Sequence, residues 1–491
     1  MGLLGILLGL GLLVWLSFRG WSVLLLAPLA GLIAALAAGE PLLAHWTQTF
    51  MGAAAGFLAQ FFPLFLLGAV FGKLMDDSGS VSAIARFMTE KLGPQRAILA
   101  VVLAGALVTY GGVSLFVAFF VIGPMAQALF RSADIPNRLM PAAIALGTST
   151  FTMSAMPGTP AIQNAIPMPF FGTTPFAAPG LGLIASAIML GFGLWWLRRA
   201  ENAARRAGEG YGVADSAAGS TAESTADTAA EEPVIRERAT TSSTFDPAEA
   251  HHGKRSEQPP GITVAMLPLV VVVLVNLLMS MWVLPRMDTG FLAEARWGGI
   301  TLVSVSGVWS VIVALATAIV VLVAFNWRRL PKLRETVDAG ANASVLPVLA
   351  VASLVGFGSV VAAMPAFETV ADWVLGLGGG PLVSLAVSTN VLSALTGSAS
   401  GGLTIALDAL GGSYLQIAAE QGIDPALLHR VAVIGSGTLD SLPHNGAVVT
   451  LLAVCGSTHR KSYLDIVMVG IVGAMLALVA VIVLGSMFGS F

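Results

Sequence analysis

Charge is the scarcest ingredient of this chain. Only 10% of its 491 residues are Asp, Glu, Lys or Arg, against about 25% in soluble domains. The hydrophobic fraction is 56% and the mean hydropathy +0.85. A soluble globule is excluded, and a polytopic membrane protein embedded in a lipid bilayer follows. Cysteine is nearly absent too. The single Cys455 cannot close an intrachain disulfide, and no Cys/His spacing supplies a structural metal site. No basic stripe interleaved with aromatics occurs, which argues against a nucleic-acid partner. Residues 2–18 contain no Lys or Arg. Without a positive n-region this run reads as a retained first helix, not a cleaved signal.

The charge that is present is unevenly placed. Of the 51 charged residues, 19 fall between Arg198 and Gly261. Residues 200–261 are rich in Ala, Ser, Thr, Glu and Gly and read as a disordered linker. Elsewhere apolar runs predict helices at 2–18, 21–38, 51–74, 97–109, 113–130, 139–156, 176–197, 262–284, 299–325, 341–363, 381–396, 402–417, 429–440, 446–456 and 463–488. Several fall short of the roughly 20 residues a span needs. Lipid tolerates such broken helices only where the freed backbone is buried or lines a wet cavity.

The short runs recur in two halves. TMSAMPGTPA (152–161) aligns without gaps with TLDSLPHNGA (438–447), matching Thr152 to Thr438, Pro157 to Pro443 and Ala161 to Ala447. Upstream, Gly111-Gly112-Val113-Ser114 resembles Gly401-Gly402-Leu403-Thr404, and Gly72 and Gly93 fall opposite Gly358 and Gly378. This order implies scaffold helices at 1–49, a first repeat at 50–199, the linker at 200–261, linking helices at 262–335 and a second repeat at 336–491. Lys73, Arg86, Lys91 and Arg96 have no basic counterpart in 365–380, and the basic run 326–335 has none in 40–50. The flanks of the two halves therefore carry opposite charge bias. By the rule that cytoplasmic flanks are basic, the repeats are inverted, the central loop is cytoplasmic and both termini lie outside.

Polar residues inside a membrane cost roughly 2.5–3.5 kcal/mol each at a helix centre, so their clustering needs a reason. One cluster in each half precedes a second: 109–114 with 148–164, and 388–404 with 435–445. The candidate substrate ligands are Gly111, Gly112, Ser114, Thr152, Ser154, Gly158, Thr159, Gln163 and Asn164 in the first half. In the second half they are Asn390, Thr396, Ser398, Ser400, Gly401, Gly402, Thr438, Ser441 and Asn445. The glycines are expected to form tight hairpin turns. Prolines break the helices and expose N-terminal N–H groups with a partial positive dipole. Hydroxyls and amides add donors, and the clusters contain no Lys or Arg. The combination suits a small carboxylate held without an ion pair. Asp440 and His444 are the candidates for proton coupling, since both titrate when partly buried; Asp408 ranks behind them.

YGGVSLFV, GTPAIQN and SGTLDSLPHNGAV together resemble the gluconate:proton symporter (GntP-type) family. The resemblance covers nearly the whole chain outside 200–261. It implies a secondary transporter of the bacterial inner membrane that carries gluconate or a related hydroxy-carboxylate with protons and uses no cofactor. It also implies the all-α ion-transporter architecture, with re-entrant hairpins and a transport domain moving as an elevator against a homodimer scaffold. Family members carry 3-hydroxybutyrate, glycerate or D-serine as well. Sodium coupling is the near rival, because unwound carbonyls with Ser, Thr and Asn side chains also hold Na⁺. A distant rival is an intramembrane serine hydrolase. GSASG (397–401) has Ala399 where a nucleophile elbow needs serine, so that template fails.

Overall fold

The computed structural model describes residues 2–17, 19, 21–211, 256, 258–443 and 445–491. Among them the regular elements are all helical, with no strand. Seven helices are long and apolar enough to cross a membrane, or eight if a pair bent by 102° at Gly93 counts as one span. The chain is thus a multi-pass membrane protein. Exposed tryptophans such as Trp15, Trp21, Trp282, Trp327 and Trp373 sit at helix ends, where amphipathic rings favour the membrane–water boundary.

The chain opens with a helical hairpin, α1 (Gly2–Ser17) and α2 (Val23–Ala38). Gly5 and Gly9 let α1 lie directly on α2: a Cβ at Gly9 would stand 2.6 Å from the Ala30 carbonyl oxygen. Small residues four apart create such close helix contacts in lipid. There follow α3 (Leu42–Asp77), the amphipathic α4 (Ser80–Leu92), α5 (Ala97–Tyr110), α6 (Leu115–Ser132), α7 (Met140–Thr148) and α8 (Phe151–Ser154). The first half ends with α9 (Ile162–Ala165), α10 (Pro167–Phe171) and α11 (Pro179–Arg206). A second hairpin, α12 (Ile262–Arg286) and α13 (Leu302–Arg329), leads to α14 (Leu333–Ala362) and the short α15 (Phe367–Leu375). The last helices are α16 (Pro381–Thr396), α17 (Ala399–Gln421), α18 (Pro425–Ser436), α19 (Gly446–Val454) and α20 (His459–Phe488).

Several boundaries shift from the sequence reading, as where the predicted 51–74 becomes Leu42–Asp77 and 429–440 becomes Pro425–Ser436, and two of the differences bear on the site and the linker. The run 139–156 is not one helix: it breaks between Thr148 and Phe151. The linker does not begin at 200, because α11 continues to Arg206. Ala, Arg and Glu are strong helix formers, so AENAARR propagates the helix past its apolar part. Most of the linker, 212–255, lies outside the described residues.

Contacts fix which ends share a face. The Tyr211 N–H donates to Asp134 at 2.9 Å and the Ser256 N–H to the Asp77 carbonyl at 2.8 Å. Asp77 is also reached by Thr336, at the start of α14, and by Lys73 at 2.9 Å, so this buried charge is paired. Gly2 lies against Ala366, just beyond the other end of α14. Phe491 accepts from the Gly180 N–H at the start of α11, whose far end leads to Tyr211. Both chain ends therefore lie on the face opposite the two ends of the central stretch.

Candidate functional site

Four helix breaks converge on one cavity of about 230 Å³. The α5–α6 turn contributes Gly112 and Ser114; the α8–α9 break contributes Pro160 and Ala161, with Gln163 following on α9. The α16–α17 turn contributes Gly397 and Ser398, with Ser400 on α17, and the α18–α19 break contributes Asp440 and Asn445. Apolar walls come from Leu64 and Phe65 on α3 and Pro347 and Val351 on α14.

Helix starts face this space. Ser114, Ser398 and Asn445 are the N-cap residues of α6, α17 and α19, and all three line the cavity. Ser398 accepts from the Gly401 N–H at 3.2 Å, and Asn445 from the Ala447 N–H at 2.7 Å. Each helix N-terminus brings unpaired N–H groups and partial positive charge, which makes the cavity favourable to an anion. Among the described residues no Lys or Arg lines it, and Asp440 is the one charged residue of the lining. The Ser441 hydroxyl donates to Asp440 at 3.2 Å. Past Gln163 and Asp440 the space continues into a side chamber of about 50 Å³, lined also by Ser149, Ser154 and Ser441. The Gln163 Oε1 is buried with no hydrogen-bond partner among the described residues, an acceptor suited to a ligand hydroxyl.

The predicted residues thus divide. Gly112, Ser114, Gln163, Ser398, Ser400, Asp440 and Asn445 line the cavity, and Ser154 and Ser441 the side chamber. The others stand behind. Thr152 bonds to Thr109 at 3.1 Å, and Thr109, in the predicted 109–114 cluster but not among its candidate ligands, lines the cavity. Thr159 accepts from the Ala161 N–H. Asn164 donates to the Thr159 and Pro175 carbonyls, each at 3.0 Å. The Gly158 carbonyl accepts from Asn276 at 3.0 Å. Asn390 and Thr396 donate to carbonyls one turn back in α16, and Thr438, just past the end of α18, to the Ile434 carbonyl. His444 lies outside the described residues.

The glycine expectation needs correction. Gly112, with φ +96, makes the first turn, but Gly401 and Gly402 lie inside α17. The second turn belongs to Gly397, with φ +62. Gly402 serves close packing: a Cβ there would stand 2.2 Å from the Ser393 nitrogen. Gly111 likewise packs on Leu269.

Three of the buried polar residues that escaped the sequence reading brace the α8–α9 break. Arg430 on α18 is fully buried and donates to the carbonyls of Ala155 and Ala177, clamping the end of α8. A cation there also complements the helix C-terminus. Its neighbour His429 accepts or donates at Thr173 (2.6 Å) and meets the Asn164 Oδ1 at 3.1 Å. The Asn164 amide already donates twice, so its oxygen accepts and the His429 Nε2 carries the proton. Asn276 on α12 reaches the same loop at Gly158. Rarity was the available signal: each is a polar residue within an apolar run.

A family model described as GntP family permease matches residues 1–170. The uncharacterized transporter YxjC of Bacillus subtilis (strain 168) is 40% identical over 495 residues, spanning 100% of both chains. The high-affinity gluconate transporter of Escherichia coli (strain K12) is 30% identical over 172 residues, 34% of this chain and 37% of that protein. Among solved structures, Neisseria gonorrhoeae MtrF, described as illuminating a class of antimetabolite efflux pumps, matches with a TM-score of 0.52 at 15% identity. The match covers 91% of this chain and 85% of that one. That likeness supports the polytopic fold. The full-length relative and the family match together establish that the chain belongs to the GntP family of permeases and is a transporter, not an enzyme.

Proposed function

We propose that this permease imports gluconate or a related small hydroxy-carboxylate across the bacterial inner membrane by proton symport. The observation that carries the reading is the cavity where three helix starts meet a single acid. The carboxylate is held by helix N-termini and the Ser114, Ser398 and Ser400 hydroxyls. Gln163 and Asn445 take the substrate hydroxyls. An ionised Asp440 in the same low-dielectric space would repel the substrate anion. Protonation of Asp440 removes that repulsion, so anion and proton enter together. The partners are thus the carboxylate, the proton and the bilayer.

Inverted repeats are the architecture we infer, with boundaries at 50–199 and 336–491. The order long helix, amphipathic helix, turned hairpin, broken helix, long helix recurs from α3 to α11 and from α14 to α20. Ser114 and Ser398 stand at the N-cap positions of corresponding helices, which favours an offset of 284 at the hairpins over the GG-to-GG match. Thr159 and Asn445, aligned in the two breaks, each accept from the N–H two residues on. The basic flanks support a cytoplasmic central loop. An elevator motion against a homodimer scaffold completes the reading.

The test is uptake of labelled gluconate by the purified protein in liposomes under a pH gradient or a sodium gradient, with 3-hydroxybutyrate, glycerate and D-serine as competitors. Accumulation driven by the pH gradient alone, and abolished by a protonophore, is expected. Accumulation driven by sodium alone would overturn the coupling. No uptake or competition under either gradient would overturn the substrate class.

A further inference from the structure

The outward face of α11 changes character along its length. Leu183, 54% exposed, starts a lipid-facing stripe that continues through Ala187 and Gly191 to Trp195, 55% exposed. The same stripe then carries Arg198, Arg199, Asn202 and Arg206, which line a groove of about 600 Å³ together with Gly191 and Trp195. Steps of three and four residues keep these side chains on one helical face. The opposite face, with Leu181, Ala185, Met189 and Leu197, is buried against the protein.

These arginines are not neutralised by their neighbours. Glu201, the acid within this stretch, is taken by Arg205 at 2.8 Å. Among the described residues, no carboxylate lies within ion-pair distance of Arg198, Arg199 or Arg206. Trp195 is held by Phe192, with ring centroids 5.5 Å apart, and marks the membrane boundary. Arg198 and Arg206 stand roughly 4 and 16 Å along the axis beyond that level, from within the headgroup layer to just past it. Gly191 leaves a notch beneath the ring, where a Cβ would meet nothing within 4 Å.

We propose that this groove holds the phosphate of an anionic phospholipid, with the acyl chain in the Gly191 notch and the headgroup between the arginines. Guanidinium forks match phosphate oxygens in geometry and charge. Arginines that serve only to orient the helix in the membrane need no shared face and no notch. A soluble phosphate needs no apolar floor. The groove supplies both halves of a lipid's chemistry in the order the bilayer presents them.

Native mass spectrometry of the full-length protein, titrated with phosphatidylglycerol and with phosphatidylcholine, tests this. Phosphatidylglycerol is expected to bind about tenfold or more tighter, from the attraction of three arginines near an anionic headgroup. The triple variant Arg198→Gln, Arg199→Gln, Arg206→Gln should remove that preference. Gly191→Leu retains every charge, fills the notch and should also weaken phosphatidylglycerol binding. Equal binding of the two lipids, or wild-type binding by both variants, would overturn the proposal. Displacement of the lipid by an equal concentration of inorganic phosphate would reassign the groove to a soluble anion. Phosphatidylglycerol binding that appears only after removal of residues 212–255 would make the acidic linker the occupant instead.

Discussion

The side-chain amide of Asn445 donates to the Gly397 carbonyl at 2.9 Å, across 48 residues of sequence. The same side chain's oxygen caps α19 through the Ala447 N–H. One residue therefore locks the α18–α19 break to the α16–α17 turn while facing the cavity. Asn445→Ala removes both bonds, at about 1 kcal/mol for the cap and a similar amount for the bridge. Asn445→Ser restores an acceptor for the cap but is too short for the bridge. We expect Ser to recover most of the unfolding temperature lost by Ala, while both raise KM severalfold. A serine variant with wild-type KM would show that the bridge does not shape the site.

Asp440 tests the coupling directly. Asp440→Asn keeps the shape and removes the titration. Exchange of labelled substrate across liposomes should persist, whereas accumulation driven by a pH gradient should collapse. In the native protein, uptake should rise as external pH falls, because protonation must precede anion entry. The variant's exchange should be flat over the same range. Undiminished pH-driven accumulation by the variant would exclude Asp440 as the coupling acid.

Much of this was legible in the sequence, and the failures have physical causes. The predicted run 381–396 coincides with α16, because Gly380-Pro381 starts the helix and Gly397 stops it. TLDSLPHNGA was recognisable as a break from its proline and its costly polar residues. The Gly401-Gly402 pair misled because glycine serves a turn and a close helix contact equally well, and spacing does not separate them. Arg430 and Asn276 were missed for a different reason. A lone polar residue in an apolar run reveals nothing about its partners, and theirs are backbone carbonyls more than a hundred residues away.

Gly112 turns the first hairpin at φ +96, a conformation that disfavours any side chain. A Cβ there would also stand 2.9 Å from the Pro160 ring at the cavity wall. Gly112→Ala should therefore cost about 1–2 kcal/mol through backbone strain and crowd the site as well. We expect transport per folded molecule to fall more than the amount of folded protein does, as read by uptake normalised to size-exclusion recovery. Gly412→Ala, inside α17 where a Cβ meets open space, is the control and should transport normally.

Arg430 offers the sharpest test of how the site is held. Its guanidinium reaches the Ala155 and Ala177 carbonyls, so it joins α18, the end of α8 and the loop before α11. Removing it orphans buried carbonyls at roughly 1–3 kcal/mol each. Arg430→Met fills similar space without donors and should lower stability by at least about 2 kcal/mol, seen as an earlier thermal transition in detergent. Arg430→Lys keeps the charge, but a compact ammonium cannot fork across both carbonyls. It should unfold between the other two and bind substrate more weakly, because the loop carrying Pro160 and Ala161 is no longer fixed against the cavity. A methionine variant with the wild-type transition and KM would mean that packing alone holds the broken helix, and that the clamp contributes nothing to the site.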